Sequence, residues 1–246
     1  MLYLIGLGLN FDGISKFGVS VVQKCKKVYL ENYTVEFPYS KGKLEEVLSK
    51  KIIEADREFV EGLEIVDEAE KMDVALLVYG SPLTATTHIA LIQEANRLGI
   101  KFHVMYNASI LDAVAGTGLQ LYKFGKIASM PDFKADSFID VVKENRSIGA
   151  HSLILIDIGL EFEKALERLE KVAAAPREGV PSKEGKKNIK LDKIVVCSKL
   201  GTKSKRMLYR KFEEFRGEEV QAPFCFVIPG KLHFLEEEVL EGIGKN

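Results

Sequence analysis

Val78-Tyr79-Gly80-Ser81-Pro82-Leu83-Thr84-Ala85-Thr86-Thr87-His88 is the place where an apolar run stops abruptly at small, turn-forming and hydroxyl residues. Upstream, Asp73 to Val78 (DVALLV) lacks the alternation of a half-solvated strand and reads as one buried on both faces. Gly80 and Pro82 force the chain to turn, and Thr86 stands where it can cap a helix running to Leu98. Strand, polar turn and helix in this order form the unit of an α/β protein. A loop at the carboxyl end of a strand collects free backbone donors beside a helix N-terminus, which suits a nucleoside or another small ligand. A plain strand-turn-helix connection has the same spacing, so the loop alone does not decide between the two.

The same alternation extends outward. Leu2 to Ile5 reads as a strand, and Gly13 to Lys26 places Ile14, Phe17, Val21, Val22 and Cys25 on one helical face ahead of a short strand at Val28 to Leu30. Two amphipathic stretches follow, one carrying Leu44, Val47, Leu48 and Ile52, the other Phe59, Leu63, Val66 and Ala69. The helix from Ile89 should end at Gly99, a fitting C′ residue, before a strand at Lys101 to Met105. Parallel strands with crossover helices are the economical topology.

A second α/β region begins between Asn107 and Lys126, with the division set at 1–107 and 108–246. Ala108 to Leu121 has a helical pattern broken by Gly116 and Gly118. Strands are expected at Lys126 to Met130, Ser152 to Ile158, Ile194 to Cys197 and Phe224 to Ile228. Helices are expected at Ser137 to Ser147 and Leu160 to Ala174, and a last helix carries Leu235, Val239, Leu240 and Ile243 on its apolar face. Residues 175–190 (APREGVPSKEGKKNIK) have the composition of a mobile surface loop.

Composition narrows the class. With 246 residues and 46% hydrophobic content the chain can bury a large core. A formal charge of −1 argues against bulk nucleic-acid binding. Cys25, Cys197 and Cys225 offer neither a CxxC pair nor a disulfide framework, and no apolar run is long enough to span a bilayer. The opening MLYLIGLGLN has no basic leader. A cytoplasmic protein without direct nucleic-acid or membrane partners is expected.

Several chemistries fail on residue type. Gly6-Leu7-Gly8 starts like a dinucleotide fingerprint, but Phe11 stands where its third glycine belongs. Gly201-Thr202-Lys203-Ser204 resembles the tail of a phosphate-binding loop, yet Val196 occupies the position of the leading glycine. His88, His103, His151 and His233 lack metal-ligand spacing, so no metal is expected. Ser81, between Gly80 and Pro82, is not in a nucleophile elbow. Catalysis by positioning a reactive cofactor is the enzyme hypothesis that remains.

Four stretches taken together carry a resemblance: YLIGLGLN, GSPLTATTH, NASILDAVAGTGLQLYKFGK (Asn107 to Lys126) and VIPGKLHFLE (Val227 to Glu236). In this order, over essentially the whole chain, they resemble the diphthine synthase family within the tetrapyrrole-methylase-like class of S-adenosylmethionine-dependent methyltransferases. The resemblance implies a two-domain α/β methyltransferase with the cofactor in the interdomain cleft, usually a homodimer. It implies that S-adenosyl-L-methionine, leaving as S-adenosyl-L-homocysteine, is bound by Leu9, Ser81, Thr84, Ser109, Ile110, Ile156, Leu200 and His233. Ser81 departs from the family's usual aspartate and brings no charge to a cationic cofactor. The implied substrate is translation elongation factor 2, whose 3-amino-3-carboxypropyl-histidine would be methylated three times on its amino group. No residue of the sequence names itself as the base. Tyr33, Tyr122 and Phe124 are candidate aromatic faces for the growing cation, with plain packing the commoner role for each.

Blander roles stand beside these. Thr86 and Thr87 fit helix capping, His88 a satisfied structural histidine, and His233 the cap of the last helix. Lys199, Lys203, Lys205, Arg206, Arg210 and Lys211 form the densest basic stretch, which is more often a solvated surface than a substrate contact. Two other functions remain open: a methyltransferase of the same fold acting on a tetrapyrrole or RNA, and a non-catalytic binding protein of that fold.

Overall fold

The computed structural model describes residues 1–174 and 189–243, so the loop expected at 175–190 falls, except for Ile189 and Lys190, outside the described residues. The chain forms two compact units: Met1–Ala113 with Gly201–Lys203, and Val114–Leu200 with Ser204–Asn246.

The first unit contains β1 (Leu2–Gly6), α1 (Lys16–Lys24), β2 (Lys27–Glu31), α2 (Lys41–Leu48), β3 (Ile53–Ala55), α3 (Arg57–Glu61), α4 (Glu64–Lys71), β4 (Val74–Val78), α5 (Ile89–Arg97), β5 (Phe102–Met105) and α6 (Ile110–Ala113). Its sheet has the order β3-β2-β4-β1-β5, and all of its pairings are parallel. Every residue of β4 is buried, as an unbroken apolar run at the centre of a parallel sheet requires. Its side chains alternate between two cores. Ala75 and Leu77 join Val21, Val22, Leu44 and Leu48 on one face, while Val74, Leu76 and Val78 join Ile65, Val66, Leu91 and Ala95 on the other.

This division makes a switch point. The chain leaving β1 passes to the face of α1, and the chain leaving the adjacent β4 passes to the face of α5. Two neighbouring parallel strands whose connections diverge open a crevice at their carboxyl ends, where α/β sheets bind ligands.

The second unit contains β6 (Ala128–Met130), α7 (Phe138–Ser147), β7 (Ser152–Ile156), α8 (Phe162–Ala174), β8 (Lys193–Ser198), β9 (Arg206–Lys211), β10 (Phe224–Ile228) and α9 (Phe234–Gly242). Its sheet runs β6-β7-β10-β8-β9. Only β6 and β7 pair in parallel; the other three pairings are antiparallel. The parallel topology expected of the first half thus holds for the first unit, while the second is mixed, with β8 and β9 forming a hairpin. Phe138, Ile139 and Val142 of α7 pack with Ala165, Leu166 and Leu169 of α8 and with strand residues in one core.

Several elements differ from expectation for local reasons. Helix α5 begins at Ile89 as expected, but Thr86 does not cap it; its hydroxyl donates to the Pro82 carbonyl at 2.6 Å. Phe17 stays exposed while its predicted face-mates are buried. Leu63, in the left-handed region at φ 69°, breaks the second amphipathic stretch into α3 and α4. Residues Ala108 to Leu121 form only one turn of α6 and a 3-10 turn at Val114–Thr117. In α9 the buried residues are Glu236 and Leu240, whereas Leu235 and Val239 face outward.

A buried amide holds α7 to the start of the second sheet. Asn145 accepts from the Lys126 N–H at 2.8 Å and donates to the Lys126 carbonyl at 2.8 Å and the Ser152 hydroxyl at 3.1 Å. Truncating it strands buried polar groups, so Asn145→Ala is expected to lower unfolding free energy by about 1–3 kcal/mol in urea denaturation.

Candidate functional site

At the carboxyl edge of the first sheet, backbone meets backbone. Gly8 and Gly80 exchange N–H to carbonyl bonds of 3.1 and 2.9 Å, joining the loops after β1 and β4. Both glycines lie in the left-handed region, at φ 70° and 71°, which side chains disfavour. A Cβ on Gly6 would fall 2.7 Å from the Gly80 carbonyl oxygen. Asn107, just beyond β5, donates to the carbonyls of Gly6 and Gly13, each at 3.0 Å, and so ties a third loop to the first.

These contacts gather the predicted residues of the first unit. Leu9 is buried beyond Gly8, its carbonyl accepting from the Tyr79 hydroxyl at 3.3 Å, and Gly201 packs against its side chain. Ser81 is buried, and its carbonyl accepts from the Thr84 N–H at 3.1 Å, closing the turn expected there. Gly80 packs on Ser109, so the loops after β4 and β5 are also adjacent.

The Ser109 hydroxyl is already committed. It donates to the Asp112 carboxylate at 2.9 Å, which also accepts the Ser109 N–H at 2.7 Å. These two bonds hold the Asp112 pKa below the ordinary carboxylate value. Ile110, half-buried, opens α6.

In the second unit Ile156 ends β7, and Leu200 lies two residues beyond β8; both strands run antiparallel to β10, so these residues share one sheet edge. His233 follows the opposite end of β10, whose last residue Ile228 pairs with Ser152, the first of β7. Within this unit the fold therefore does not bring His233 to Ile156 and Leu200. It makes His233 the N-cap of α9, with Nδ1 accepting from the Leu235 N–H at 3.3 Å.

Glu236, which fixes that cap, is the second unit's densest polar centre. Its buried carboxylate accepts from the His233 N–H at 2.7 Å, the Gln120 N–H at 3.0 Å, the His151 ring at 3.1 Å and the Lys123 ammonium. His151 accepts from the Gly230 N–H through Nδ1, so its Nε2 carries the proton given to Glu236. Burial alone would raise the Glu236 pKa, but Lys123 and the two backbone donors outweigh it and hold the carboxyl at about 2.

The remaining candidates sort by contact. Phe124 packs edge-on against His151 at 5.4 Å, Tyr122 projects outward, and Tyr33 lies under the Arg57 guanidinium at 5.0 Å. Arg206 and Arg210 of the basic stretch both pair with Glu218, at 2.6 and 2.8 Å. Among the described residues no cluster of metal-ligating side chains is present, and no helix is long and apolar enough to cross a membrane. His88 is only half satisfied: its Nδ1 donates to the Pro82 carbonyl at 2.9 Å, while Nε2, buried, has no partner. Sequence reasoning passed over Asn107's tie to β1 and over Glu31, although a carboxylate closing the apolar run of β2 was a visible signal.

A family model described as tetrapyrrole (corrin/porphyrin) methylases matches residues 1–215. The chain belongs to that family. It is 45% identical over 187 residues to the diphthine methyl ester synthase of Schizosaccharomyces pombe, an alignment covering 72% of this chain and 66% of that protein. The chain thus spans slightly less than two thirds of that relative's length. A probable diphthine methyl ester synthase of Arabidopsis thaliana is 38% identical, with 98% of this chain and 97% of that one covered. A crystal structure of diphthine synthase superposes with a TM-score of 0.87 at 31% identity, over 98% of this chain and 95% of the other.

The Glu236 network carries a pH signature. A carboxyl whose folded pKa lies below its unfolded value contributes stability above the unfolded pKa and loses it as pH falls through the folded one. Stability of the native chain is expected to decline from about pH 4.5 toward about pH 2 as this carboxyl takes its proton. In Glu236→Gln, acid titration followed by circular dichroism should show a less stable protein at pH 7 and a shallower decline across that window.

Proposed function

We propose that this chain is an S-adenosylmethionine-dependent methyltransferase of diphthamide biosynthesis, a cytoplasmic homodimer that methylates the 3-amino-3-carboxypropyl-histidine of translation elongation factor 2. The observation that carries the reading is the convergence of Leu9, Ser81 and Ser109 on a glycine-built edge at the switch point of β1 and β4. Its relatives' names supply the substrate class.

The residues fit such a cofactor in kind. An adenosyl and amino-acid ligand is bound by backbone N–H and carbonyl groups and short hydroxyls, which the loops at 80–84 and 107–110 offer. Because the Ser109 hydroxyl is held by Asp112, the contribution of that loop falls to backbone groups. Bound S-adenosylmethionine supplies an activated methyl on a sulfonium. The protein's part is to hold the acceptor amine in line with that methyl and to exclude water, so most of the rate comes from positioning.

Three methylations of the amine give a trimethylammonium. The phrase methyl ester in the relatives' names favours a second reading, in which the adjacent carboxylate takes a further methyl group. Incubating the chain with elongation factor 2 bearing the unmethylated group and labelled cofactor, then measuring the intact mass, separates the two by whether a fourth methyl appears. No label on the factor overturns both; label on a tetrapyrrole or RNA instead would move the chain elsewhere in its family. No calorimetric binding of S-adenosylhomocysteine would make it a non-catalytic relative.

Ser81 offers a finer test. A carboxylate there would add an anionic partner for the cationic cofactor, so Ser81→Asp is expected to tighten S-adenosylmethionine binding several-fold, corresponding to about 1 kcal/mol. Calorimetry on the two proteins reads this directly, and unchanged or weaker affinity counts against the assigned contact.

A further inference from the structure

A second group of polar side chains lies at the same sheet edge, on the strand next to the crevice. Glu31 ends β2, which pairs directly with β4. Its carboxylate is fully buried. Oε2 accepts from the Thr34 hydroxyl at 3.0 Å and the backbone N–H groups of Tyr33 and Thr34 also face the carboxylate, but Oε1 makes no well-formed hydrogen bond. Burying a carboxylate costs several kcal/mol unless it is paired, so a half-satisfied one in the interior calls for a ligand or a function.

The surroundings are chemically matched. The ring of Tyr33, two residues on, lies 5.0 Å from the Arg57 guanidinium, and its buried hydroxyl has no hydrogen-bond partner. Arg57 pairs with Glu61 at 3.3 Å, and Glu61 accepts from the Thr87 hydroxyl at 3.2 Å. His88 follows, donating from Nδ1 to the Pro82 carbonyl of the loop that carries Ser81. Its Nε2 is therefore a second buried acceptor without a donor. Two unmet acceptors, an aromatic face and a partly exposed guanidinium are the complement of one ligand class. An α-amino acid presents N–H donors and positive charge at one end and a carboxylate at the other.

We propose that Glu31, Tyr33, Arg57 and His88 form the acceptor subsite, taking the amino group against Glu31 and His88 and the carboxylate against Arg57. The proposal rests on the function given above, and it makes Glu31 the base. Before each transfer Glu31 takes one proton from the ammonium. The freed nitrogen lone pair forms the bond to the sulfonium methyl carbon, the carbon–sulfur bond breaks, and its electron pair remains on sulfur. The proton then leaves Glu31 for solvent, and the restored carboxylate pairs with the alkylated ammonium. Three rounds release three protons and leave a trimethylammonium on the Tyr33 face.

Desolvation raises the Glu31 pKa above the ordinary carboxylate value against the opposing Thr34 and Tyr33 hydrogen bonds and the Arg57 charge, which brings it closer to a proton acceptor's working range. Burial likewise lowers the His88 pKa and keeps Nε2 an acceptor.

Glycine betaine and tetramethylammonium serve as probes on the full chain, with binding followed by NMR beside S-adenosylhomocysteine calorimetry and methyl transfer to elongation factor 2. Glu31→Gln is expected to keep S-adenosylhomocysteine affinity within about twofold, weaken both probes at least about tenfold and slow transfer at least about 100-fold, the scale of a lost acid–base group. Arg57→Gln is expected to abolish the preference for glycine betaine over tetramethylammonium and to raise the acceptor KM more than it lowers kcat. Either variant binding both probes and transferring methyl as the native chain does would overturn the subsite. So would a Glu31→Gln protein that loses S-adenosylhomocysteine affinity and thermal stability in step with transfer, or one that fails to fold while Arg57→Gln keeps its probe preference. Probe binding that depends on Glu31 in a chain unable to methylate elongation factor 2 would sustain the subsite and refute the function instead.

Discussion

The pair of hydrogen bonds between Gly8 and Gly80 is the constraint on which the candidate site depends. Two loops leave adjacent parallel strands for opposite faces of a sheet, and without a crosslink they would splay. Glycine adopts the left-handed backbone of both positions without strain, and at Gly6 a side chain would collide with the Gly80 carbonyl. Asn107 extends the crosslink to a third loop. The edge is thus shaped by main chain, and side chains such as Ser81 are placed upon it.

The two buried glutamates show opposite solutions to one electrostatic problem. Glu236 meets four donors from three parts of its unit and stays ionised, with a depressed pKa. Glu31 meets fewer, keeps one oxygen unpaired, and its pKa is raised. Full satisfaction marks a structural carboxylate, and Glu236 indeed sets the start of α9. Partial satisfaction is what separates Glu31 from it, although both are equally hidden from solvent.

What was legible in the sequence follows the same physics. Unbroken apolar runs announced β4 and β10, and Gly99 announced the end of α5 through its left-handed backbone. The start of α5 at Ile89 was legible too, but its capping was not, since the Thr86 hydroxyl turns to a carbonyl rather than to helix N–H groups. β9 was masked by its charge, for Arg206 and Arg210 sit on an edge strand and are paired with Glu218. The buried side of α9 was misjudged because a glutamate with four partners behaves as an interior residue. At the site, the positions of Leu9, Ser81 and Ser109 came from motif order, whereas the commitment of the Ser109 hydroxyl to Asp112 depends on a turn that no periodicity encodes.

The strand order also bears on how this edge comes into being. β1 is first in the chain but pairs only with late partners, Leu2 lying opposite Val74 on one side and Phe102 on the other. Loop closure must precede any reward from those pairings, so contacts this distant form slowly. During synthesis the first strand therefore waits, apolar and unpaired, until β4 has emerged. The edge that carries the candidate site is thus completed late, and β1 is the strand left exposed to wrong pairing in the interval.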